Sequence, residues 1–529
     1  MNDCNILNLT SEYEEYLHDE SREIGSADSI SFPLSEVQLQ NVIKRVYDKG
    51  DSITVQGSRT GITGGAVPLE HHVINLSKMD RILGLKRDEK SGIFLLKVQP
   101  GAILSSVNNA LLKKDIDVSD WSKEQQKAFE DFCKEERMFF SPDPTEKTAS
   151  IGGMVSCNAS GARSFCYGPT RGHIHSIKVI LSDSSVLHLE RGVHKADGLK
   201  FSIETGLGRT IEGSLPLYKM PQVKNASGYF TGKDIDLVDL FIGSEGTLGI
   251  ICEIEIKLIK FPPSIWGILA FFSCDEQAVE FSEVLKREMK PNNGLYDSKL
   301  VAIEYFNSHS INLLRIQKRN PAFSKIPAIP DNLNTAVYFE FHGSNDDYVC
   351  DRVMEASRII KECGGNDSSA WVASNERELD RLYFLRHAVP EAINLFIDSK
   401  RKNDPKISKL STDMAVPDGK LKEVLNYYNE TLEENKLNSV MFGHIGDNHV
   451  HVNILPGSVK DYETGKALYN EWGKKIVELG GTVSAEHGIG KIKKELLKIM
   501  YGESGIKEMK LIKKAFDPKG LLNKGNLFD

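Results

Sequence analysis

The chain has 529 residues, 40% of them hydrophobic and 26% charged, with a formal net charge of −8. This length calls for two or more domains, and the acidic balance argues against a nucleic-acid partner. No run approaches the roughly 18 apolar residues of a membrane span, the N-terminus carries no secretory signal pattern, and the scattered cysteines form no Cys-x-x-Cys. A cytoplasmic location follows as the expectation, with peripheral membrane attachment as the alternative. A sequence-local iron–sulfur run is excluded.

Residues 1–30 are acidic and polar and read as a short helical arm. Residues 35–49 place Val37, Leu39, Val42, Ile43 and Val46 at helical spacing and stop at Gly50. A short strand from Ile53 then enters a loop with Gly57, Gly61, Gly64 and Gly65, interleaved with Ser58, Thr60 and Thr63. Such a loop exposes many backbone N–H groups and suits a pyrophosphate. It is neither the Gly-x-Gly-x-x-Gly fingerprint nor a Walker loop, and a plain glycine-rich turn is the alternative. Strands are expected at 73–77 and 94–102, and a helix at 103–113. His71 and His72 are expected to face solvent before the first of these strands. Residues 115–137 are highly charged and read as a helical surface insertion, with partner docking as the alternative.

A second Gly- and Ser-rich region covers 141–171, with Gly152, Gly153, Asn158, Ser160 and Gly161. Its small residues would let a flat ring or a phosphate lie against backbone. A hairpin is expected over 174–189, around Ser-Asp-Ser-Ser. A third piece, 241–258, reads Phe-Ile-Gly-Ser-Glu-Gly-Thr-Leu-Gly-Ile-Ile and runs into a strand through Ile254, Ile256 and Leu258.

These three segments, in this order, resemble the flavin-binding module of the vanillyl-alcohol-oxidase superfamily, also called the p-cresol-methylhydroxylase (PCMH) type. The resemblance implies an α+β protein. Two subdomains of a PCMH-type domain would grip FAD over 31–262, an α+β substrate (cap) domain would follow over 263–500, and a C-terminal segment, 501–529, would return to the FAD domain. It implies FAD contacts, largely through backbone, at Gly57, Ser58, Arg59, Thr60, Gly61, Gly64, Gly65, Gly152, Gly153, Asn158, Ser160, Gly161, Glu245, Gly246, Thr247, Gly249 and Ile250. No counterpart of the histidine that some relatives use for covalent attachment is evident, so FAD is expected to bind non-covalently.

Beyond Pro262, strand-like 265–272 and 335–342 are each followed by an amphipathic helix, 276–289 and 347–363. This alternation suggests a sheet with helices on one face. A helix over 379–398 contains Arg386 and Pro390, and the proline could kink it. An extended segment follows at 407–417, with Lys409, and then a helix at 420–435.

The run 443–456 holds His444, His449 and His451 within eight residues. From His449 onward polar and apolar residues alternate, so His449, His451 and Asn453 would share one strand face and Val450, Val452 and Ile454 the other. A Gly-Asp-Asn turn could fold His444 back over the polar face. Glu486 and His487 follow in a second conspicuous stretch, Ser-Ala-Glu-His-Gly-Ile-Gly. Two imidazoles and a carboxylate can hold a divalent ion with open positions, and a further histidine beside them can act as a base.

Within the superfamily, these two stretches resemble the branch that oxidises D-2-hydroxy acids: D-lactate dehydrogenases, D-2-hydroxyglutarate dehydrogenases and glycolate oxidase flavin subunits. The resemblance implies His444, His451 and Glu486 as metal ligands, His487 as base, Asn453 beside them, and Arg386 with Lys409 as a carboxylate clamp. Many relatives carry Asn where His449 stands. Near the C-terminus, Asn523-Lys524-Gly525-Asn526 replaces the usual Asn-Pro-Gly-Lys.

The expected reaction is FAD-dependent oxidation of a D-2-hydroxy acid, D-lactate first, with 2-hydroxyglutarate or glycolate as alternatives. The expected metal is zinc, with manganese or iron as alternatives. Electrons would pass to an external acceptor: a quinone, an electron-transfer flavoprotein, a cytochrome or an iron–sulfur subunit. A homodimer is one permitted assembly. Two other classes stand beside this reading. One is a flavin-binding subunit with little activity alone. The other is a zinc hydrolase, which would leave the three glycine-rich segments unexplained.

Overall fold

The computed structural model describes residues 4–289 and 298–529. The fold is α+β. Helix Glu36–Lys49 begins at Ser35, whose hydroxyl accepts the Gln38 amide, and ends at Gly50 in the left-handed region (φ 78). Its Leu39, Val42, Ile43 and Val46 pack on a four-stranded sheet. The strand order is Leu7–Asn8, Ser29–Ser31, His72–Asn75, Ile53–Gln56, the last three being parallel. The N-terminal arm therefore supplies a strand to this sheet; residues 1–3 lie outside the described residues. The chain's end joins the opposite edge, where the Ile53 amide donates to Leu521 O and the Asn523 amide to Ile53 O. His72 does not face solvent. Its ring is buried between the hydroxyls of Ser29 and Ser31, at 2.8 and 3.0 Å.

A second, antiparallel sheet runs Ile82–Arg87, Phe94–Val98, Ile250–Lys257, Ile174–Ile180, Val186–Glu190. The last two strands form the expected hairpin. The charged insertion is more than a surface appendage. Helix Lys123–Lys134 starts in a capping box formed by Ser122 and Gln125. It buries Phe132 edge-on against Phe94, with ring centroids 5.5 Å apart, and Trp121 packs on Phe129. Charge dominates the composition here, but the few aromatic residues decide where the segment sits.

The third sheet positions the site. It is antiparallel, in the order Trp371–Ala373, Ser264–Phe272, Thr335–Gly343, Ser298–Phe306, Ser439–Gly443, His451–Ile454, Leu410–Ser411. Register pairs Tyr305 with Gly443, Phe442 with His451, and Ser411 with Asn453. Helices Asp275–Glu288, Asp346–Glu362 and Glu376–Arg401 pack on it, the last running continuously past Pro390. Helix Lys494–Phe516 is interrupted at Gly502 (φ 67, ψ 177). Among the described residues no helix is long and apolar enough to cross a membrane.

Replacing Phe132 by Ala empties a buried aromatic site, and should lower the unfolding free energy by about 3 kcal/mol or more in a denaturant titration. A helix merely resting on the surface would lose less than about 0.5 kcal/mol.

Candidate active site

The turn between strands Ser439–Gly443 and His451–Ile454 needs a left-handed residue, and Asn448 supplies it (φ 51). The His449 amide donates back to His444 O, which closes the turn. His444 thereby folds over the face that carries His449, His451 and Asn453. Glu486 comes from the loop after helix Val459–Glu478. Its Oε1 lies 3.2 Å from His444 Nε2, 3.3 Å from His451 Nε2 and 3.4 Å from His487 Nε2.

The tautomers follow from the other ring nitrogens. His451 Nδ1 lies 2.8 Å from the Thr412 carbonyl, and His444 Nδ1 lies 2.5 Å from the Glu304 carboxylate. Both partners only accept, so each Nδ1 carries the hydrogen. In the neutral rings each Nε2 then presents a lone pair to a carboxylate oxygen, an arrangement that requires a cation between them. A divalent ion fits this donor set. A proton on His444 is the other solution: burial alone would lower its pKa, but Glu304 and Glu486 push it up to about 9. Glu304 orients and polarises a candidate ligand from outside the ligand set, as carboxylates behind metal-bound imidazoles do. Arg386 Nε stands 3.8 Å from the other Glu304 oxygen.

Two buried lysines balance the carboxylates. Lys224 Nζ donates to Glu486 Oε2 at 2.7 Å, leaving Oε1 to face the imidazoles. Burial works against its charge, but Glu486 and Asp447 hold the ammonium form. Lys493 Nζ donates to Asp413 Oδ2 at 2.7 Å. Asp413 is fully buried. It also accepts the amides of Glu486 and His487 and the Ser484 hydroxyl, and it lies 3.4 Å from His487 Nδ1. Burial would raise its pKa, yet His487 and Lys493 hold it well below the usual carboxylate range. Burial pushes His487 down to about 4, so its ring is neutral and able to accept a proton. The His487 side chain is 27% exposed, against 6–8% for His444, His451 and Glu486. It is the member of the cluster that something arriving from outside can reach.

Asn453 is fully buried and neither amide atom has a partner among the described residues. Lys409 is not brought into the cluster. It lies just outside strand Leu410–Ser411, four positions from Asp413 and so about 13 Å along an extended chain. Its amine is 3.4 Å from Asn394 Oδ1, and burial followed by the charge of Arg22 lowers its pKa to about 8.

The three glycine-rich segments converge. A Cβ on Gly57 would meet Ser150 Oγ at 2.2 Å, one on Gly152 would press on Pro100, and one on Gly161 would strike Asp143 O. The Glu245 amide donates to Ser156 O, joining the second and third segments. Ser160 Oγ is buried without a partner, and open space surrounds the Cβ position of Gly61. Unused donors and close-set backbone of this kind fit a flavin nucleotide. The other candidates serve mainly to shape the cradle. Asn158 Oδ1 accepts the Arg171 amide. The Thr247 hydroxyl donates to Ser244 O. Gly246 sits against Asn523, and Gly249 against Val179. Ile250 begins the strand. Gly153 N donates to Ser150 Oγ, and Gly65 O accepts Asn526 Nδ2. Arg59 (φ 60) turns its guanidinium outward to Glu15 and the Tyr16 ring, leaving its backbone, with Ser58 and Thr60, in the loop.

Glu245 does something the motif did not announce. Its two oxygens accept the amides of Ile489 and Gly490, each at 2.7 Å, tying the flavin segment to the His487 loop. Lys491 donates to Asn526 Oδ1 at 2.6 Å and to Gly64 O at 3.2 Å.

A family model for the FAD binding domain matches residues 27–120 and 124–190, and one for the C-terminal domain of FAD linked oxidases matches 293–527. The chain belongs to the FAD-linked oxidases. It is 26% identical to a D-lactate dehydrogenase of Anaerostipes hadrus, over 97% of this chain and 92% of that protein. It is 25% identical to the glycolate oxidase subunit GlcD of Bacillus subtilis (95% and 89%), and 24% identical to a D-2-hydroxyglutarate dehydrogenase of Stutzerimonas stutzeri (94% and 90%). It is an FAD-linked oxidoreductase of the group these proteins represent. Its fold is similar to that of an alkyldihydroxyacetonephosphate synthase, with a TM-score of 0.61 at 16% identity, over 95% of this chain and 76% of that one.

Sequence reading missed Glu304, Asp413, Lys224 and Lys493. Glu304 lies in an apolar strand, where a lone carboxylate among buried residues was the available signal. Replacing Glu304 by Gln should weaken divalent-metal binding about tenfold or more in a chelator-competition titration, while the flavin content of the purified protein stays unchanged.

Proposed function

We propose that this protein oxidises a D-2-hydroxy acid, D-lactate first among the candidates, to the 2-oxo acid. The observation that carries the reading is the convergence of His444, His451 and Glu486 beside the half-buried imidazole of His487, in a chain that belongs to the FAD-linked oxidases. D-lactate stands first because several similar proteins bear that name, including those of Anaerostipes hadrus and Archaeoglobus fulgidus.

FAD, when bound, supplies the two-electron acceptor for the hydrogen on C2. His444, His451 and Glu486 would hold a divalent ion, which we assign as zinc, and it would supply the charge that acidifies and orients the hydroxyl. The chain's own residues do the rest. His487 takes the hydroxyl proton. Asp413, beside its other nitrogen, holds the ring in place and favours the imidazolium that results. Arg386 binds the carboxylate; its guanidinium fork matches two oxygens. The unpaired Asn453 amide donates to the substrate. Lys409, whose amine lies beside Asn394, would add a point charge to that clamp. The 2-oxo acid would then be released, and FAD, when bound, would relay the electron pair to an acceptor outside the chain.

Under anaerobic conditions, D-lactate added to the purified yellow protein should bleach the flavin absorbance. Chelator should suppress the bleaching and zinc should restore it. His487→Gln should slow the bleaching by roughly 10²–10⁴-fold without loss of bound flavin. Retention of full colour with every D-2-hydroxy acid tried, in metal-loaded protein, would refute the reading.

A further inference from the structure

His449 is a fully buried imidazole with no hydrogen-bond partner among the described residues on either ring nitrogen. Its Nε2 lies 3.1 Å from Asp413 Oδ1, but without the alignment a hydrogen bond needs. Asp413 is already supplied by Lys493, Ser484 and two backbone amides. A buried polar ring without a partner is rare and calls for a reason. The reason lies on the same strand face. The His449 and His451 ring centroids are 4.4 Å apart, and those of His449 and His444 are 5.3 Å apart. One ligand atom from each of His444, His449, His451 and Glu486 lies within 4.8 Å of every other.

We infer that His449 is a third imidazole ligand, so that this chain holds its divalent ion through three histidines and one carboxylate. The inference rests on the metal site proposed above and goes beyond it, because that site counts only two histidines and one carboxylate. The consequence is chemical. Imidazole favours zinc and its later-transition-metal neighbours, whereas oxygen donors suit manganese and magnesium. A third ring therefore tightens the site and narrows its choice toward zinc. It also leaves one fewer position open, so an incoming hydroxy acid meets a more fully coordinated ion.

Asp413 from the edge segment, His444 from the turn, and His451 and Glu486 from the cluster itself face the ring.

The test is X-ray absorption on the zinc-loaded holoprotein, together with zinc and manganese affinities from chelator competition. The expected result is three imidazoles on zinc in the native protein and two in His449→Asn. That variant should also lose at least tenfold in zinc affinity and show a smaller preference for zinc over manganese. Two imidazoles in the native protein would overturn the inference, as would unchanged affinity and selectivity in the variant, or no zinc bound at all. If His449→Asn fails to fold, judged by flavin content and thermal unfolding, the imidazole count in the native protein decides by itself. Three imidazoles in a protein whose flavin no hydroxy acid bleaches would leave this inference standing and remove only the substrate assignment.

Discussion

Two carboxylates, Asp413 and Glu486, are buried at the centre of this protein, and burying a carboxylate costs several kcal/mol unless cations and hydrogen bonds surround it. Asp413 meets the cost with Lys493, the Ser484 hydroxyl and two backbone amides, and the His449 and His487 rings lie beside it. Glu486 relies on Lys224 and on the imidazoles of His444, His451 and His487. The two sets share His487, and Asp413 accepts the backbone amide of Glu486, so neither carboxylate can move alone. Because Asp413 accepts the amides of Glu486 and His487, it shapes the loop that presents both. The geometry of ligands and base follows from that single buried charge.

The same logic joins the flavin module to the cap. Glu245, in the third glycine-rich segment, accepts the amides of Ile489 and Gly490, while its own carbonyl accepts Asn523 Nδ2. A second bridge runs from Arg163, two residues past Gly161, to Glu340 on the cap sheet, at 2.7 Å. Tyr338, Tyr383 and His342 complete that network. Tyr383 is one turn from Arg386 on the same helix. The proposed carboxylate clamp and the flavin segments are thus connected through buried, charge-assisted hydrogen bonds, which hold position better than exposed pairs.

Much of the fold was legible because periodicity and caps act locally. Ser35 and Gly50 bracket the first helix, and the hairpin after Ile174 pairs as its sequence suggests. The site was legible where chemistry is concentrated in a few adjacent residues, as at His444, His451, Glu486 and His487. It was obscure where a side chain works across the fold. Glu304, Asp413 and Lys224 each look like isolated charges in sequence and become partners only through sheet register and a loop far along the chain. Lys409 lies just before the edge strand, with its amine beside Asn394.

The sequence alone determined the two-part, flavin-binding α+β architecture, the face shared by His449, His451 and Asn453, and the donor types available to a metal, because these depend on local spacing and residue chemistry. Tertiary structure alone decided which donors meet, which nitrogen of each ring is free, and that His449 is buried without a partner. The physical reason is that charge balance in a protein interior is a property of neighbours in space. Asp413, Glu486, Lys224 and Lys493 become neighbours only after three sheets and a returning C-terminus have packed.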